Sequence, residues 1–138
     1  SRTMVPFSRH VMQEYLKGPH DVLLQKQVRF MICASEVLIG TIDLFEYDPI
    51  HQRAGVGVYL NADKRGNGYA QEALECIKIY SRDVLFIRNL HASMITDNQN
   101  SVRLFEQCGF EKVGLLRNWT RLADGWKDEY LYQIELEG

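Results

Sequence analysis

The sequence predicts a mixed α/β fold built on one sheet. Runs rich in Val, Ile, Phe and Tyr alternate with turn-forming residues, which indicates strands. Two later segments carry apolar residues at spacings of three and four, which indicates amphipathic helices. One of these helices lies between two strand-like runs, so we expect those two strands to be parallel neighbours with a right-handed crossover.

The first half of the chain is interpreted as a helix followed by three strands. The helix is predicted over Arg9 to Lys17, after Ser8 as its N-cap. The strands are predicted at Val28 to Ala34, Val37 to Tyr47 and Arg53 to Leu60. Between the first two strands stand only Ser35 and Glu36, which do not favour a primed two-residue turn. We therefore expect a longer turn that includes strand residues, or residues missing at this point.

The second half alternates helices and strands and then ends in a hairpin. Apolar residues at helical spacing predict a helix from Gly68 to Val84, and Gly109 ends a second helix. Asp124-Gly125 is a hairpin signal between the last two strands. The remaining predicted elements are a strand at Leu90 to Thr96, a helix at Ser101 to Cys108, and strands at Phe110 to Leu122 and Trp126 to Leu136.

Composition excludes several classes of protein. The 138 residues are 46% hydrophobic and 25% charged, which indicates one globular domain. A net charge of −2 without a basic run argues against nucleic-acid binding, and no apolar run is long enough to cross a membrane. The three cysteines have no metal-ligand spacing, so we expect no metal site and a reduced, cytoplasmic protein.

The segment Arg65-Gly66-Asn67-Gly68-Tyr69-Ala70 links the third strand to the long helix. A helix N-terminus offers unpaired N–H groups and the positive end of the helix dipole, and glycines allow a ligand to approach the backbone closely. That combination suits a phosphate or pyrophosphate. The loop lacks the Gly-Lys-Ser/Thr of a Walker loop and the G-x-G-x-x-G of a dinucleotide site. By itself it fits an ordinary glycine-rich turn equally well.

Three stretches, in order along the chain, resemble one family. Arg65 to Ala70 fits R-x-x-G-x-A, which resembles the acyl-CoA pyrophosphate loop of the GNAT N-acetyltransferases. Asn98 to Ser101, followed by Leu104-Phe105-Glu106 and Gly109-Phe110, resembles their N-x-x-S…L-Y-E-x-x-G-F segment. Gly40 to Leu44, with Trp126 to Glu129 near the end, resembles the ribosomal-protein and spermidine N-acetyltransferase branch. The resemblance covers roughly residues 28–136.

The resemblance implies the GNAT fold, apparently without its first strand and helix. The chain would be a single GNAT domain over residues 1–138, truncated at the N-terminus or incomplete there. Acetyl-CoA, as co-substrate, would lie between the third strand and the Leu90 strand. The implied cofactor-binding residues are Val56, Val58, Leu60, Arg65, Gly66, Asn67, Gly68, Tyr69, Ala70, Asn98 and Phe105.

One position departs from the family pattern. Phe105 stands where many relatives have the Tyr that protonates the departing CoA thiolate, and Phe cannot donate a proton. Ser101 matches a serine that acts as general acid in some relatives, and it is the candidate here. Cys108 or a water could substitute, or the thiolate could leave as an anion. General acid catalysis contributes about 10²–10⁴-fold, so activity is not excluded.

Transfer to an amine also requires a group that removes a proton from it, because a primary amine is almost wholly protonated at neutral pH. The candidates are Asp43, Glu46, Asp48 and Glu129, and Asp43 is favoured because it lies within the family-like G-x-x-D-L run. Asp43 and Glu46 are three residues apart, so without a bulge they face opposite sides of a strand. Both His51 and His91 are possible bases by type. They are ranked lower, since a lone histidine is more often structural.

The expected function is therefore an N-acetyltransferase that moves an acetyl group directly to a primary amine. The acceptor would be a polyamine-like small molecule or a protein N-terminus, and the protein could be a homodimer. Trp119, Trp126 and Tyr130 would line the acceptor side or simply pack the hairpin. Two alternatives remain open, an acyl-CoA-binding sensor without turnover and an interaction domain whose loop is only structural.

Overall fold

The computed structural model describes residues 3–4, 12–14 and 26–137, which contribute eight strands to one sheet and two α-helices to one of its faces. The sheet order is β1-β2-β3-β4-β5-β6-β8-β7. Neighbouring strands are antiparallel except for β5 and β6, which are parallel. The strands are β1 (Thr3–Met4), β2 (Met12–Glu14), β3 (Val28–Ala34), β4 (Val37–Asp48), β5 (Arg53–Leu60), β6 (Asn89–Ile95), β7 (Glu111–Leu122) and β8 (Gly125–Glu135).

The two helices follow from the sequence pattern. Helix α1 spans Tyr69–Asp83 and connects β5 to β6, and helix α2 spans Gln99–Gln107 and precedes β7. Alternate side chains of β3, β4, β5 and β6 are buried beneath the helices in one core. Aromatic contacts tie the layers together, since Phe30 of β3 meets Tyr80 of α1 edge to face at 5.2 Å. The expected mixed α/β fold, with parallel strands on either side of α1, is confirmed.

One expected helix is wrong where the structure describes it. Met12–Glu14 forms strand β2 within the segment that the sequence indicated as a helix over Arg9 to Lys17. Pairing of Met12 and Gln13 with Ile32 and Met31 gives these backbone groups hydrogen-bonding partners from a distant part of the chain. Such tertiary pairing overrides a short helical periodicity. The rest of residues 9–17 lies outside the described residues.

Two short strands, β1 and β2, thus precede β3, where the sequence indicated no strand.

The turn between β3 and β4 also differs from the expectation. Ser35 and Glu36 alone form it, with φ of 51° and 67°. Positive φ at both central residues is the geometry of a primed hairpin turn, which matches the twist of the two strands. After a register shift between Ile32 and Cys33, the pairs Cys33↔Leu38 and Ala34↔Val37 leave only these two residues for the turn, although neither side chain favours it. No longer turn or additional residue is needed.

This turn generates a stability prediction. Glu36→Gly should raise the free energy of unfolding by about 0.5–1 kcal/mol, because glycine adopts a positive φ without the steric cost that other residues incur. Ala123→Gly is the matched control, because Ala123 lies in the β7–β8 turn and does not have a positive φ. There the added freedom of the unfolded chain should lower stability. Urea unfolding measures both variants, and an unchanged or lower stability for Glu36→Gly would contradict the expected strain.

Candidate functional site

A cleft opens where β5 and β6 stop pairing. Their parallel pairing covers only Arg53–Gly55 of β5 against Asn89–His91 of β6. Beyond this point β5 pairs only with β4, and β6 pairs only with β8. We use the term cleft for the space between Val56–Leu60 of β5 and Ala92–Ile95 of β6.

The hydrogen bonds of β5 decide which backbone groups face the cleft. The Asn61 N–H donates to the Ile39 carbonyl of β4 at 2.8 Å. In an antiparallel pair the bonding direction alternates from residue to residue, and the Leu60↔Gly40 register is regular back to Gly55. Gly57 and Tyr59 therefore bond toward β4. The backbone N–H and C=O groups of Val56, Val58 and Leu60 point into the cleft.

The loop after β5 presents backbone N–H groups at the mouth of the cleft. Gly66 and Gly68 have φ of 85° and 81°, values that side-chain-bearing residues rarely adopt. Gly68 is the N-cap of α1, and the first intrahelical bond joins the Glu72 N–H to the Gly68 carbonyl at 3.0 Å. A Cβ added at either glycine would meet nothing within 4 Å. Glycine is thus required at both positions by the backbone conformation and not by crowding, and the space around both positions is open.

Two side chains hold the loop in this shape. Arg65 Nε donates to the Leu60 carbonyl at 3.3 Å, which directs the guanidinium group along the end of β5. Asn67 Nδ2 donates to the carbonyls of Lys64 and Arg65, each at 3.4 Å. Asn67 therefore supports the loop from within and does not line the cavity next to it.

A cavity of about 510 Å³ extends from this loop along β5 to helix α2. Among the residues that the structure describes, its charged lining consists of Arg65 and Arg103, and no carboxylate lines it. A positively charged lining in a chain of net charge −2 favours an anionic ligand. The full lining is Val58, Tyr59, Leu60, Arg65, Gly66, Gly68, Tyr69, Ala70, Gln71, Asn98, Asn100, Ser101, Arg103, Leu104 and Gln107.

Helix α2 contributes residues that the sequence interpretation missed. Asn100, Arg103, Leu104 and Gln107 all line the cavity and recur at helical spacing. The opposite side of the same helix buries Val102 and Phe105 in the core. The sequence could have predicted these positions, because the helical periodicity of α2 places polar residues on one face and apolar residues on the other. Arg103 Nη2 also donates to Asn100 Oδ1 at 2.6 Å, which fixes its position on that face.

The residues of the family-like second motif divide between cavity and core. Asn98 is the N-cap of α2, where its Oδ1 accepts from the Ser101 N–H at 3.2 Å, and both residues line the cavity. Phe105 instead lies in the core at 4% exposure, with its ring edge to face against Phe110 at 4.9 Å. Burial raises the pKa of the Cys108 thiol to about 11, and Cys108 does not line the cavity either.

The candidate carboxylates are in very different surroundings. Asp43 accepts two hydrogen bonds from Arg29, each 2.8 Å long. The hydrogen bond from the His51 ring lowers the pKa of Asp48 to about 2. Glu129 accepts a hydrogen bond from Thr120 Oγ1. These three acids are engaged with neighbours on the surface of the sheet.

Glu46 differs because it sits in a bulge of β4. The β4–β5 register shifts between Phe45 and Asp48, and Glu46 has a φ of 53°. Bulges redirect side chains and are frequent next to active sites. The side chain of Glu46 is exposed, and its carboxylate is near enough to His91 to act on that residue's pKa. The rule that residues three apart face opposite sides therefore does not apply across this bulge.

At the closed end of the cleft, two rings meet over a glycine. Phe45, Gly55 and His91 are opposite one another on β4, β5 and β6, on the face of the sheet away from the helices. The Phe45 and His91 rings are edge to face at 6.0 Å. A Cβ at Gly55 would lie 2.3 Å from the Phe45 ring and 2.9 Å from His91 Cε1, so only glycine fits beneath them.

The aromatic residues of the β7–β8 hairpin do not form one wall. Trp119 and Trp126 are about three-fifths exposed, near the hairpin end. Tyr130 is half-buried, with Lys112 Nζ 3.8 Å from its ring centre. Tyr59 lines the cavity and was not among the cofactor-binding residues expected from the sequence.

Within the described part of the chain, no cluster of three or more His, Cys, Asp or Glu side chains could hold a metal ion. Among those same residues, no helix has the length and apolar character needed to cross a membrane.

Comparison with protein families gives a match over most of the chain. The family described as "Acetyltransferase (GNAT) domain" matches residues 2–111. The uncharacterized N-acetyltransferase p20 of Bacillus licheniformis is 29% identical over 83% of this chain and 66% of its own length. The spermidine N(1)-acetyltransferase of Vibrio cholerae is 29% identical over 74% of this chain and 58% of its own. The ribosomal-protein-serine acetyltransferase of Escherichia coli is 27% identical over 75% of this chain and 58% of its own length.

The chain thus spans between about half and two thirds of the length of the curated relatives it matches. Solved structures share its fold. A crystal structure of Vibrio cholerae spermidine N-acetyltransferase in complex with CoA and spermine superposes with a TM-score of 0.78 at 24% identity, covering 85% of this chain and 70% of that one. A dodecameric structure of the same enzyme superposes with a TM-score of 0.77, again at 24% identity and covering 85% of this chain and 70% of that one.

The surroundings of Cys108 generate a reactivity prediction. At pH 8 a thiol with a pKa of about 11 is deprotonated in only about one molecule in a thousand, and Cys108 is also buried. In the folded protein, iodoacetamide should therefore modify the half-buried Cys33 well before Cys108. Peptide mass spectrometry over time measures both, with urea-unfolded protein as the control in which all three cysteines react. Equal rates in the folded protein would contradict the burial of Cys108.

Proposed function

The chain belongs to the GNAT acetyltransferase domain family, and from this premise we propose that it transfers an acetyl group from acetyl-CoA to a primary amine. The observation that carries the proposal is the cavity of about 510 Å³, lined by two arginines, a helix N-terminus and the free edge of β5. Each part of this lining matches one part of an acyl-CoA molecule. The residues present therefore fit the cofactor that the family uses.

The pyrophosphate of acetyl-CoA would lie at the loop before α1. The N-terminal turn of that helix offers N–H groups and a positive dipole end, and Gly66 and Gly68 leave the approach open. Arg65 adds a guanidinium group held at the end of β5. Charge-assisted hydrogen bonds of this kind are roughly twice as strong as neutral ones.

The pantetheine arm would extend β5 as an additional half-strand. The backbone groups of Val56 and Val58 and the N–H of Leu60 point into the cleft, where they could pair with the two amides of the arm, while the Leu60 carbonyl accepts from Arg65. Asn98 uses its Oδ1 to cap α2, which leaves its Nδ2 group to donate to the same arm. Phe105 has no part in this proposal as a contact, because its ring is enclosed in the core.

The acceptor is proposed to be a polyamine-like amine or a protein N-terminus, approaching from the face of the sheet away from the helices. Transfer requires a group that takes a proton from the amine. The CoA thiolate must also leave, either as an anion or after it has been protonated. Of the two carboxylates expected from the sequence, Glu46 is exposed, while Asp43 is already paired with Arg29. Ser101 lines the cavity and is proposed as the proton donor to the thiolate.

A second candidate function is an acyl-CoA sensor without turnover. The position of Phe105 favours it, because the ring that replaces the family tyrosine is packed against Phe110 and offers no proton. Calorimetric titration with acetyl-CoA, followed by spermidine and by a peptide with a free N-terminus, separates the candidates. Binding with release of free CoA thiol supports the transferase, and binding without release supports the sensor. No binding of acetyl-CoA would refute both.

The loop generates a binding prediction. Gly68→Glu should weaken acetyl-CoA binding by at least 100-fold, because it places a carboxylate where the pyrophosphate would lie. Gly125→Glu is the matched control, since Gly125 also has a positive φ and open space around it but lies at the start of β8, next to the β7–β8 turn. Both variants should lose similar stability, while only the first should lose binding. Normal binding by Gly68→Glu would show that the loop is only a turn.

A homodimer is also part of the proposal. Strand β7 is an edge of the sheet, and it carries exposed Val113, Leu115 and Trp119. Edge strands with apolar side chains tend to be covered in assemblies. Light scattering should give at least twice the monomer mass, and Leu115→Lys should shift the distribution toward the monomer without changing the circular dichroism spectrum. A wild-type chain that is monomeric at all concentrations would contradict the dimer.

A further inference from the structure

We propose that His91 is the base that takes the proton from the acceptor amine. This inference rests on the proposed acetyl transfer and assigns one of its steps to a residue that the sequence ranked low. It is carried by the geometry at the closed end of the cleft. The sheet brings His91 to the point where β5 and β6 separate, which is where an acyl group entering along β5 would end.

The first argument is the position of His91 on β6. His91 is paired with Gly55, in the last parallel pair before the two strands diverge. Its ring lies on the face of the sheet away from the helices, together with Phe45 and Gly55. The cavity begins at the Arg65 loop and follows β5 as far as Val58, and Gly55 lies three residues further along the same strand. An acetyl group delivered there would meet an amine approaching from the His91 side.

The second argument is that the packing holds the ring without blocking it. Phe45 contacts the imidazole edge to face, and Gly55 provides the gap in which Cε1 rests. The residue is half-buried, so part of the ring remains accessible. A general base needs both a fixed orientation and access to the proton, directly or through one water.

The third argument concerns the charged groups around the ring. Burial lowers the pKa of His91, the nearby carboxylate of Glu46 raises it in part, and Arg53 lowers it further. The neighbour on β8, Gln133, is uncharged. At neutral pH the imidazole is therefore mostly neutral and able to accept a proton, and Glu46 stabilises the imidazolium that forms. The bulge at Glu46, with its φ of 53°, is the local cost of bringing that carboxylate to this side.

The other candidates are less suited to this step. Asp43 is fixed in two hydrogen bonds with Arg29, and the Ser101 hydroxyl is not a base at neutral pH. In the proposed step, His91 accepts one proton from the ammonium group, and the freed nitrogen lone pair forms the C–N bond to the acetyl carbonyl. The C–S bond breaks with its electron pair on sulfur. Ser101 donates its hydroxyl proton to the CoA thiolate, and the second amine proton restores the Ser101 hydroxyl, so protons and electrons balance.

Two measurements test the inference on the intact chain. In the first, the Cε1 proton resonances of His91 and His51 are titrated by NMR without any cofactor. The His91 pKa should lie below the usual value of about 6.5 and fall further in Glu46→Gln, while the His51 resonance should not respond to that change. Addition of acetyl-CoA should shift the His91 resonance and leave that of His51 unchanged. A His91 pKa at or above 6.5, or no response to acetyl-CoA, would overturn the placement.

In the second measurement, His91→Gln is compared with His51→Gln, whose histidine is exposed and paired with Asp48 on the β4–β5 turn. His91→Gln should bind acetyl-CoA as the wild type does, yet lose about 10²–10⁴-fold in kcat with spermidine or the N-terminal peptide. The acidic limb of the kcat–pH profile should disappear with it. His51→Gln should retain the wild-type kcat and the acidic limb of its pH profile. His91→Asn, with equal thermal stability, should reproduce the loss.

The outcomes separate this inference from the proposed function. A wild type that does not bind acetyl-CoA refutes the proposed function before any variant is made. An active wild type with an unchanged His91→Gln variant refutes only the role of His91. A wild type that binds acetyl-CoA and never acetylates an amine overturns the base assignment together with the transferase.

Discussion

The separation of β5 from β6 after three paired residues is the constraint on which the rest of the site depends. Pairing at Arg53–Gly55 fixes the closed end, and beyond it the backbone groups of Val56, Val58 and Leu60 face the cleft and not a neighbouring strand. An unpaired strand edge inside a protein is costly unless a partner or water satisfies its polar groups. A ligand with amide groups would therefore satisfy these backbone groups by pairing with β5, as an additional strand does.

Glycines adapt the backbone at both ends of this cleft, for different physical reasons. At the outer end, Gly66 and Gly68 adopt positive φ values with open space around them, so the need there is conformational. At the inner end, Gly55 is needed because the rings of Phe45 and His91 occupy the volume of a side chain. Gly66 and Gly68 leave open space beside a helix N-terminus, and Gly55 leaves room for an imidazole.

The charged side chains differ between the helix side of the sheet and the strands that carry the candidate carboxylates. The cavity on the helix side is lined by Arg65 and Arg103, whereas the four candidate carboxylates lie on β4 and β8. In the proposed transfer, a polyanionic cofactor and a cationic amine approach from opposite sides of the sheet. Phe105, on the buried face of α2, contributes packing and no proton.

Much of the candidate site could be predicted from sequence because it is local. The spacing Arg65-x-x-Gly68 places its residues on one loop, and most of the residues expected to bind the cofactor do line the cavity. Arg103 and Gln107 were missed although the periodicity of α2 exposes them on one face. The interpretation of Phe105 as a contact followed the motif alone, and a motif does not tell whether a ring points into a cavity or into the core.

By itself, the sequence determined the mixed sheet, the two helices, the parallel strands around the first of them and the loop that opens it. These follow from hydrophobic periodicity and from glycine positions, which are properties of neighbouring residues. Tertiary structure decided the strand at Met12–Glu14, the primed turn at Ser35-Glu36, the bulge at Glu46 and the meeting of Phe45, Gly55 and His91. Each of these depends on a partner strand that is distant in sequence, whose register sets backbone conformation and side-chain direction in a way that no local pattern encodes.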